Sequence, residues 1–239
     1  EEGRRSYGAK RICGKLRGQG HTASFHKVQA SMKAQGLICV HWRRRQRSLT
    51  NSSGSRGSEY TNLVRGLNIS RPFEVLSSDI SYVRTQEGFV YLCQIKDVAS
   101  GAILAHTVSE RMTKELVLDT LRKVFTRWLI PKGCIFHSDR GSQYTSREVM
   151  KFLATRKIRQ SFSRVGMPGD NAWSESFFAN LKKEAVHWVH FATKEDARGA
   201  IFGHIEAFYN TKRVQERLGY LSPMQWLERR DPESLGCVA

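Results

Sequence analysis

From residue 73 onward the apolar positions fall into short β-branched and aromatic runs. Runs over 75–84, 89–98 and 103–108 predict strands, separated by turn signals at Glu87-Gly88 and Ser100-Gly101. Connections this short join antiparallel neighbours, so the three strands are expected to form a meander. The period then changes. Leu116, Val117, Thr120, Leu121, Val124, Phe125 and Trp128 share one face of a helix over 113–128, which Pro131 and Gly133 end. A short buried strand over 134–137 follows. The capping-box pattern Thr145-Ser146-Arg147-Glu148 opens a helix that runs to residue 155, and another strand covers 158–162. The Gly166-Met167-Pro168-Gly169 loop leads to Asp170, the expected N-cap of a helix through residue 184. Thr193-Lys194-Glu195-Asp196 opens a last long helix with Ala197, Ile201, Ile205 and Phe208 toward the core.

The order β-β-β-α-β-α-β-α-α predicts an α/β fold, with a mixed five-stranded sheet flanked by helices on both faces. This matches the ribonuclease-H-like arrangement. Ahead of it, Ile12 and Leu16 mark a short helix that Gly18-Gln19-Gly20 stops. Ser24 then offers an N-cap to a second helix carrying His26, Lys27, Val28, Met32 and Lys33, with Gly36 at its end. Helix, glycine turn, helix is the outline of a helix-turn-helix. Four arginines beside Trp42 (Arg43, Arg44, Arg45, Arg47) precede a Ser/Gly-rich stretch. The expected organisation is therefore a helix-turn-helix-like DNA-binding region with its basic run over 1–47, a flexible linker over 48–72, an α/β core over 73–230 and a tail over 231–239. The first Met is Met32, so residues are expected to be missing upstream of residue 1.

Charge changes the picture from fold to partner. The 239 residues carry 39 Lys and Arg against 22 Asp and Glu, a formal net charge of +17. Residues 1–72 hold +12 of it and residues 73–239 only +5. Such self-repulsion gains a fold nothing, so the natural partner is a polyanion. No long amphipathic helix accompanies the charge and no apolar run approaches the roughly 20 residues of a bilayer span, which favours nucleic acid over a membrane. The five cysteines never occur as C-x-x-C, which argues against a disulfide framework or a cysteine zinc site and for small buried thiols. His187 and His190 have no paired cysteines to complete a zinc knuckle and read as surface positions.

Where acids are scarce, their placement matters. Asp79 falls inside a predicted strand on the face of Ser77 and Ser81, a costly position unless it is paired or bound to a cation. Asp139 follows the strand over 134–137, and Glu175 lies in the first turns of the helix after Asp170. The segments Asp79-Ile80-Ser81, His137-Ser138-Asp139-Arg140-Gly141-Ser142-Gln143-Tyr144 and Asp170-Asn171-Ala172-Trp173-Ser174-Glu175-Ser176-Phe177-Phe178 resemble the three signature segments of insertion-sequence-3-family transposases, integrase-core enzymes with an Asp, Asp, Glu triad. The 35 residues between Asp139 and Glu175 are the spacing that names the class. Tyr209-Asn210-x-x-Arg213, Leu218-Gly219-Tyr220-x-Ser222-Pro223 and the Tyr7-Gly8, Gly20-His21 and Gly36-Leu37 pairs extend the likeness over essentially the whole chain. Ser81 departs from the usual Thr, Leu76 from a Trp and Gln215 from a His.

The resemblance implies a DNA transposase that cleaves 3′ ends and transfers strands, with Asp79, Asp139 and Glu175 holding two Mg²⁺ or Mn²⁺ ions, a donor set that suits hard cations. Lys182, seven residues after Glu175, falls on the same helical face and is expected at a phosphate, as are Arg140, Lys27, Arg43, Arg44 and Arg45. His137 is expected to make structural hydrogen bonds rather than act as a base. The implied partners are element ends and target DNA, further copies of the chain on that DNA, and an upstream-frame product of the same element. The implied location is the bacterial cytoplasm, at the nucleoid when bound. Two other readings are a catalytically inactive DNA-binding remnant and a ribonuclease-H-like nuclease that cuts without joining.

Overall fold

The structure, a computed structural model, describes residues 6–39, 60–164 and 167–231. Arg43, Arg44 and Arg45 lie outside the described residues, as do the 48–59 part of the expected linker and the tail from residue 232.

Strand β1 (Val75–Thr85) turns at Gly88 (φ 113°) into β2 (Gly88–Asp97), and β2 pairs with β3 (Ile103–Ser109), both antiparallel. Two further strands, β4 (Ile135–Ser138) and β5 (Arg159–Phe162), run parallel to β1, so the sheet order is β3-β2-β1-β4-β5. Each parallel step needs a crossover, which α3 (Lys114–Arg127) and α4 (Arg147–Thr155) supply. Leu121, Val124 and Leu153 from these helices bury against Leu76, Ile95, Leu104 and Phe136 on one sheet face. On the other face, α5 (Ala172–Leu181) and α6 (Lys194–His204) bury Phe177, Leu181 and Ile201 against Val83, Val90 and Leu92. Each such side chain contributes about 1.5–3 kcal/mol when fully buried. Both faces are covered, and the mixed sheet expected from the order of elements is the one observed.

Several local expectations are corrected. Ser146, not Thr145, caps α4 by accepting from Val149 N, because the helix begins one residue later than the capping-box pattern implied. Asp170 does not cap α5. It sits in a 3₁₀ turn (Pro168–Asn171), where Arg164 has claimed its carboxylate. The helix expected through residue 184 ends at Leu181 and widens into a π-helical turn, Lys182–Val186. Likewise α6 gives way to a second π turn, Ile205–Tyr209. Thr193 does open α6, with a reciprocal capping box to Asp196. Residues 60–64, expected within a flexible linker, are packed: Tyr60 stacks edge-on against Phe162, Leu63 N donates to Ser161 Oγ and Phe162 N donates to the Thr61 carbonyl.

The N-terminal hairpin is formed by α1 (Ala9–Gly18) and α2 (Phe25–Ala34), with Gly20 at φ 84° in the turn. Ser24 stands at the start of α2 but makes no capping bond with its side chain. The neighbouring Ala23 carbonyl is held instead by Arg17 Nε and Nη2 at 3.0 and 2.8 Å. Helix α1 is seated on the C-terminal part of the core. Tyr7 Oη donates to the Lys212 carbonyl (2.8 Å) and accepts from Val214 N (2.9 Å). The approach is close enough that a Cβ on Gly14 would stand 2.3 Å from the Tyr220 ring. The tail motif is structural too. Asn210 pairs with both Ile103 N and Ile103 O at 2.9 Å, and Arg213 grips the buried Glu184 carboxylate with Nε and Nη2. Finally α7 (Pro223–Arg230) starts on a Ser222–Gln225 capping box with Pro223 at its first position.

Candidate active site

The register of the two central parallel strands sets the site. Strand β4 pairs with β1 only at Val75, Leu76 and Ser77, and the last pair is Ser77 with His137. Asp79 and Asp139 each stand two residues beyond that pair, so both emerge at the same level where the strands part. From Ser78 onward β1 has no strand neighbour on that side. Two groups cover the exposed backbone there: Asn171 Nδ2 donates to the Ser78 carbonyl at 3.1 Å, and the Asp79 carboxylate accepts from Ile80 N at 2.8 Å. Asp139 Oδ1 accepts from Gly141 N at 3.0 Å. A Cβ on Gly141 would sit 3.0 Å from that oxygen and 2.9 Å from Gln143 Oε1, so a larger residue here would push on the side chains of Asp139 and Gln143.

Glu175 arrives from the other layer, in the first turn of α5. A buried polar ladder fixes that helix to the sheet. Gln94, the residue paired with Asp79 across β1 and β2, donates from Nε2 to Ser174 Oγ (2.9 Å), and Ser174 Oγ donates to Ser77 Oγ (3.1 Å). Lys96 Nζ donates to the Trp173 carbonyl at 2.9 Å. Behind Asp79, the Ser78 hydroxyl meets the buried Tyr144 hydroxyl at 2.9 Å and donates to the Gln94 carbonyl. Buried polar groups held this way fix geometry, because each lost partner leaves an unsatisfied group costing about 1–3 kcal/mol.

Electrostatics ties the three acids together. Burial raises the Asp79 pKa from its ordinary value to about 7, and the negative charges of Asp139 and Glu175 push the same way, against the Ile80 N–H and the Lys182 ammonium. Loss of solvent also raises Asp139 and Glu175, the former opposed by its Gly141 bond. Lys182, in the π turn after α5, is lowered by burial and supported by the charge of Asp79. Among the described residues, no three His, Cys, Asp or Glu side chains are gathered closely enough to hold one ion between them. The donor chemistry nonetheless suits a hard divalent cation: three carboxylates that repel one another, one of them forced toward its protonated form.

The remaining candidates take varied positions. His137 is buried, with Nδ1 2.9 Å from Ser161 Oγ and Nε2 3.1 Å from Ser163 Oγ, and burial lowers its pKa. Both ring nitrogens are engaged away from the acids, as the structural role requires. Arg140 reaches the carbonyls of Ser163 (3.0 Å) and Tyr60 (3.1 Å), fastening the packed 60–64 segment beside β5. Lys27 is exposed on α2. Asp170 accepts from Arg164 and Asn62, and its pKa falls well below the carboxylate range chiefly through Arg164. Sequence reasoning missed the ladder of Ser77, Ser78, Gln94 and Ser174. Its one signal is the polar run Ser77-Ser78-Asp79 in the buried first half of a strand.

A ribonuclease-H-like sheet with acids at the diverging ends of its two central parallel strands, and a third on the helix crossing them, defines an integrase core. The pattern described as Integrase core domain matches residues 69–168 and, in a second form, residues 175–230. Transposase InsF for insertion sequence IS3A from Escherichia coli (strain K12) is 37% identical over 220 residues, which span 92% of this chain and 76% of that protein. The insertion element IS600 uncharacterized 31 kDa protein of Shigella sonnei is 34% identical over 226 residues, 95% of this chain and 83% of that one. The simian T-cell lymphotropic virus intasome, solved in complex with PP2A regulatory subunit B56 gamma, shares the fold. Its TM-score is 0.55 at 16% identity, covering 89% of this chain and 73% of that chain. The chain belongs to the insertion-sequence-3 family of transposases, polynucleotidyl transferases that act on DNA.

Proposed function

We propose that this transposase cleaves at the 3′ ends of its element and joins the freed 3′-hydroxyl to a second phosphodiester, with Asp79, Asp139 and Glu175 as a single metal-holding unit for Mg²⁺ or Mn²⁺. The observation that supports the reading is the strand acid Asp79, which burial raises to about 7 with the charges of Asp139 and Glu175 pushing the same way. Like charges aimed at one place are stable only with protons or a cation between them. When bound, two divalent ions supply activation of the attacking oxygen and charge at the leaving one.

Each residue then has a distinct task. Asp79 on its strand, Asp139 on its glycine turn and Glu175 on α5 would together hold the ions. Glu175, exposed in the first turn of α5, completes the set from the helix that the ladder holds against the sheet. Lys182 holds a phosphate beside the acids. Lys27 on α2, with Arg43, Arg44 and Arg45, contacts phosphates farther along the duplex and supplies most of the salt-dependent grip. Arg140 holds the 60–64 segment and adds its positive charge to the surface that meets DNA. Cutting two element ends calls for at least two copies of the chain on the DNA.

Labelled element ends incubated with the protein and Mg²⁺ test the reading. Joined products are expected. Bound ends that are never cut under Mg²⁺ or Mn²⁺ point to an inactive DNA-binding protein, and cut ends that are never joined point to a nuclease.

A further inference from the structure

Helix α5 carries Glu175 but does not fix its own start. Its N-cap residue, Asn171, makes no capping bond with its side chain; the amide nitrogen goes to the Ser78 carbonyl instead. The next two tethers also come from the sheet. Lys96 Nζ donates to the Trp173 carbonyl and Gln94 Nε2 to Ser174 Oγ, both at 2.9 Å, on the two residues that immediately precede Glu175. Both donors stand on β2 directly opposite β1, where Gln94 pairs with Asp79 and Lys96 with Ser77. Paired residues on antiparallel strands share a sheet face, so the two donors lie on the face of Asp79 and Ser77. Glu175 itself is exposed and has no hydrogen bond or ion pair among the described residues, so the backbone at 173 and 174 decides where its carboxylate stands. Packing alone does not account for the donors. Gln94 and Lys96 are buried on a strand that also buries Leu92 and Ile95, where an aliphatic side chain fills space without desolvating an amide or an ammonium.

We propose that Gln94 and Lys96 are positioning residues for Glu175, tying the helix that carries the third acid to the cross-strand neighbours of Asp79 and Ser77. The inference rests on the three-carboxylate reading above and adds to it the residues that keep the set together. Neither side chain touches the reaction; each acts through the first turn of α5. Displacing a binding or reacting group by about 1 Å can cost about a hundredfold, and the outer partners of metal ligands commonly govern affinity by about 10–100-fold. A buried hydrogen bond to each of the two residues before Glu175 supplies that precision from the same strand pair that presents Asp79.

The test is the affinity of the full chain for Mn²⁺ without DNA, read from the electron paramagnetic resonance of the free ion, in two backgrounds, wild type and Glu175→Gln. Gln94→Met and Lys96→Met keep the side-chain length but remove the donor, and Ser174→Ala removes one hydroxyl. In the wild-type background each is expected to weaken Mn²⁺ binding by about tenfold, and Mg²⁺-supported joining should fall with it while gel-shift affinity for DNA holds. In the Glu175→Gln background the same changes should shift the affinity by less than about twofold, because a residue that acts through Glu175 has nothing left to place. Wild-type Mn²⁺ affinity in all three variants overturns the positioning role and leaves the carboxylate unit intact. Equal weakening in both backgrounds overturns it too, since the ladder then serves the fold as a whole. Ser174→Ala, the smallest change, decides the matter should a β2 variant not fold. A wild type that binds no Mn²⁺ at millimolar concentration sinks the metal unit and the positioning role together.

Discussion

The strand acids and the N-terminal hairpin solve opposite problems. Around Asp79, Ser77, Ser78, Gln94, Ser174, Asn171 and Tyr144 form one buried hydrogen-bonded lattice that ties β1 to α5, leaving only the amide oxygens of Gln94 and Asn171 without a partner among these side chains. Helix α2 buries none of its residues, and its N-terminal serine does not even use its side chain as a cap. Chemistry at a phosphodiester needs atoms held to a fraction of an ångström, so the site invests in satisfied burial. A helix proposed to grip a polyanion needs only charge at roughly the right place, and the hairpin is fastened to the core at Tyr7 and Gly14 while α2 stays exposed.

The sharpest way to break that contrast is at the acids. Asp79→Asn and Asp139→Asn are near-isosteric, so each is expected to lower strand joining by more than about a thousandfold while DNA affinity persists, because ligands of one site act as a unit. Joining assays beside gel shifts would decide this, and a variant that joins normally removes its residue from the site.

The next effect is thermodynamic and depends on pH. Asp79 has its folded pKa raised to about 7, so the stability its proton brings is complete below its unfolded pKa, near 4. That stability is lost as pH rises through 7. Metal-free protein should therefore melt lower at pH 8 than at pH 5, and Asp79→Asn should flatten the dependence. Above pH 7 the freed carboxylate favours cation binding. Mn²⁺ at a hundredfold over its Kd should then restore about 2.7 kcal/mol. A melting temperature indifferent to both pH and Mn²⁺ would contradict the assembled site.

On the hairpin side the expected effects are smaller. Tyr7→Phe removes the hydroxyl that bridges the Lys212 carbonyl and Val214 N, and should cost about 1–3 kcal/mol in a denaturant titration. Unchanged stability would mean α1 is not seated by that bridge. Smallest of all, Lys27→Ala should weaken DNA binding alike across sequences and lower the slope of log K against log salt by about 0.9, provided Lys27 meets a phosphate. A full slope in this variant would move the grip elsewhere.

The same contrast governs what the sequence made legible. The five strands, their antiparallel start and the elements on which Asp79, Asp139 and Glu175 sit follow from hydrophobic period, because periodicity is how burial is written in a chain, whereas the grouping of the three acids came from the family resemblance. The ladder behind Asp79 was not legible, since serine and glutamine carry no periodic signature and their partners lie about 80 or more residues apart. Asp170 was misread because its capping role lost to Arg164 across the loop, a competition local pattern does not reveal. Residues 60–64 were misread because the neighbouring Ser/Gly-rich stretch lent them its composition, whereas Tyr60 and Val64 are packing residues. The π turn that carries both Lys182 and Glu184 has no propensity signal of its own. Arg213 holds its Glu184 carboxylate, and Lys182 feels the charge of Asp79.

Glu175 tests the account most directly, because it alone must come from a helix to join the two strand acids. Strand-transfer yield on labelled ends with Mg²⁺ should be measured for wild type and Glu175→Gln, with gel-shift affinity taken on the same preparations. The account predicts a Glu175→Gln protein that folds and binds DNA like wild type yet yields no joined product. Joined product at the wild-type level from that variant would contradict the three-carboxylate unit itself.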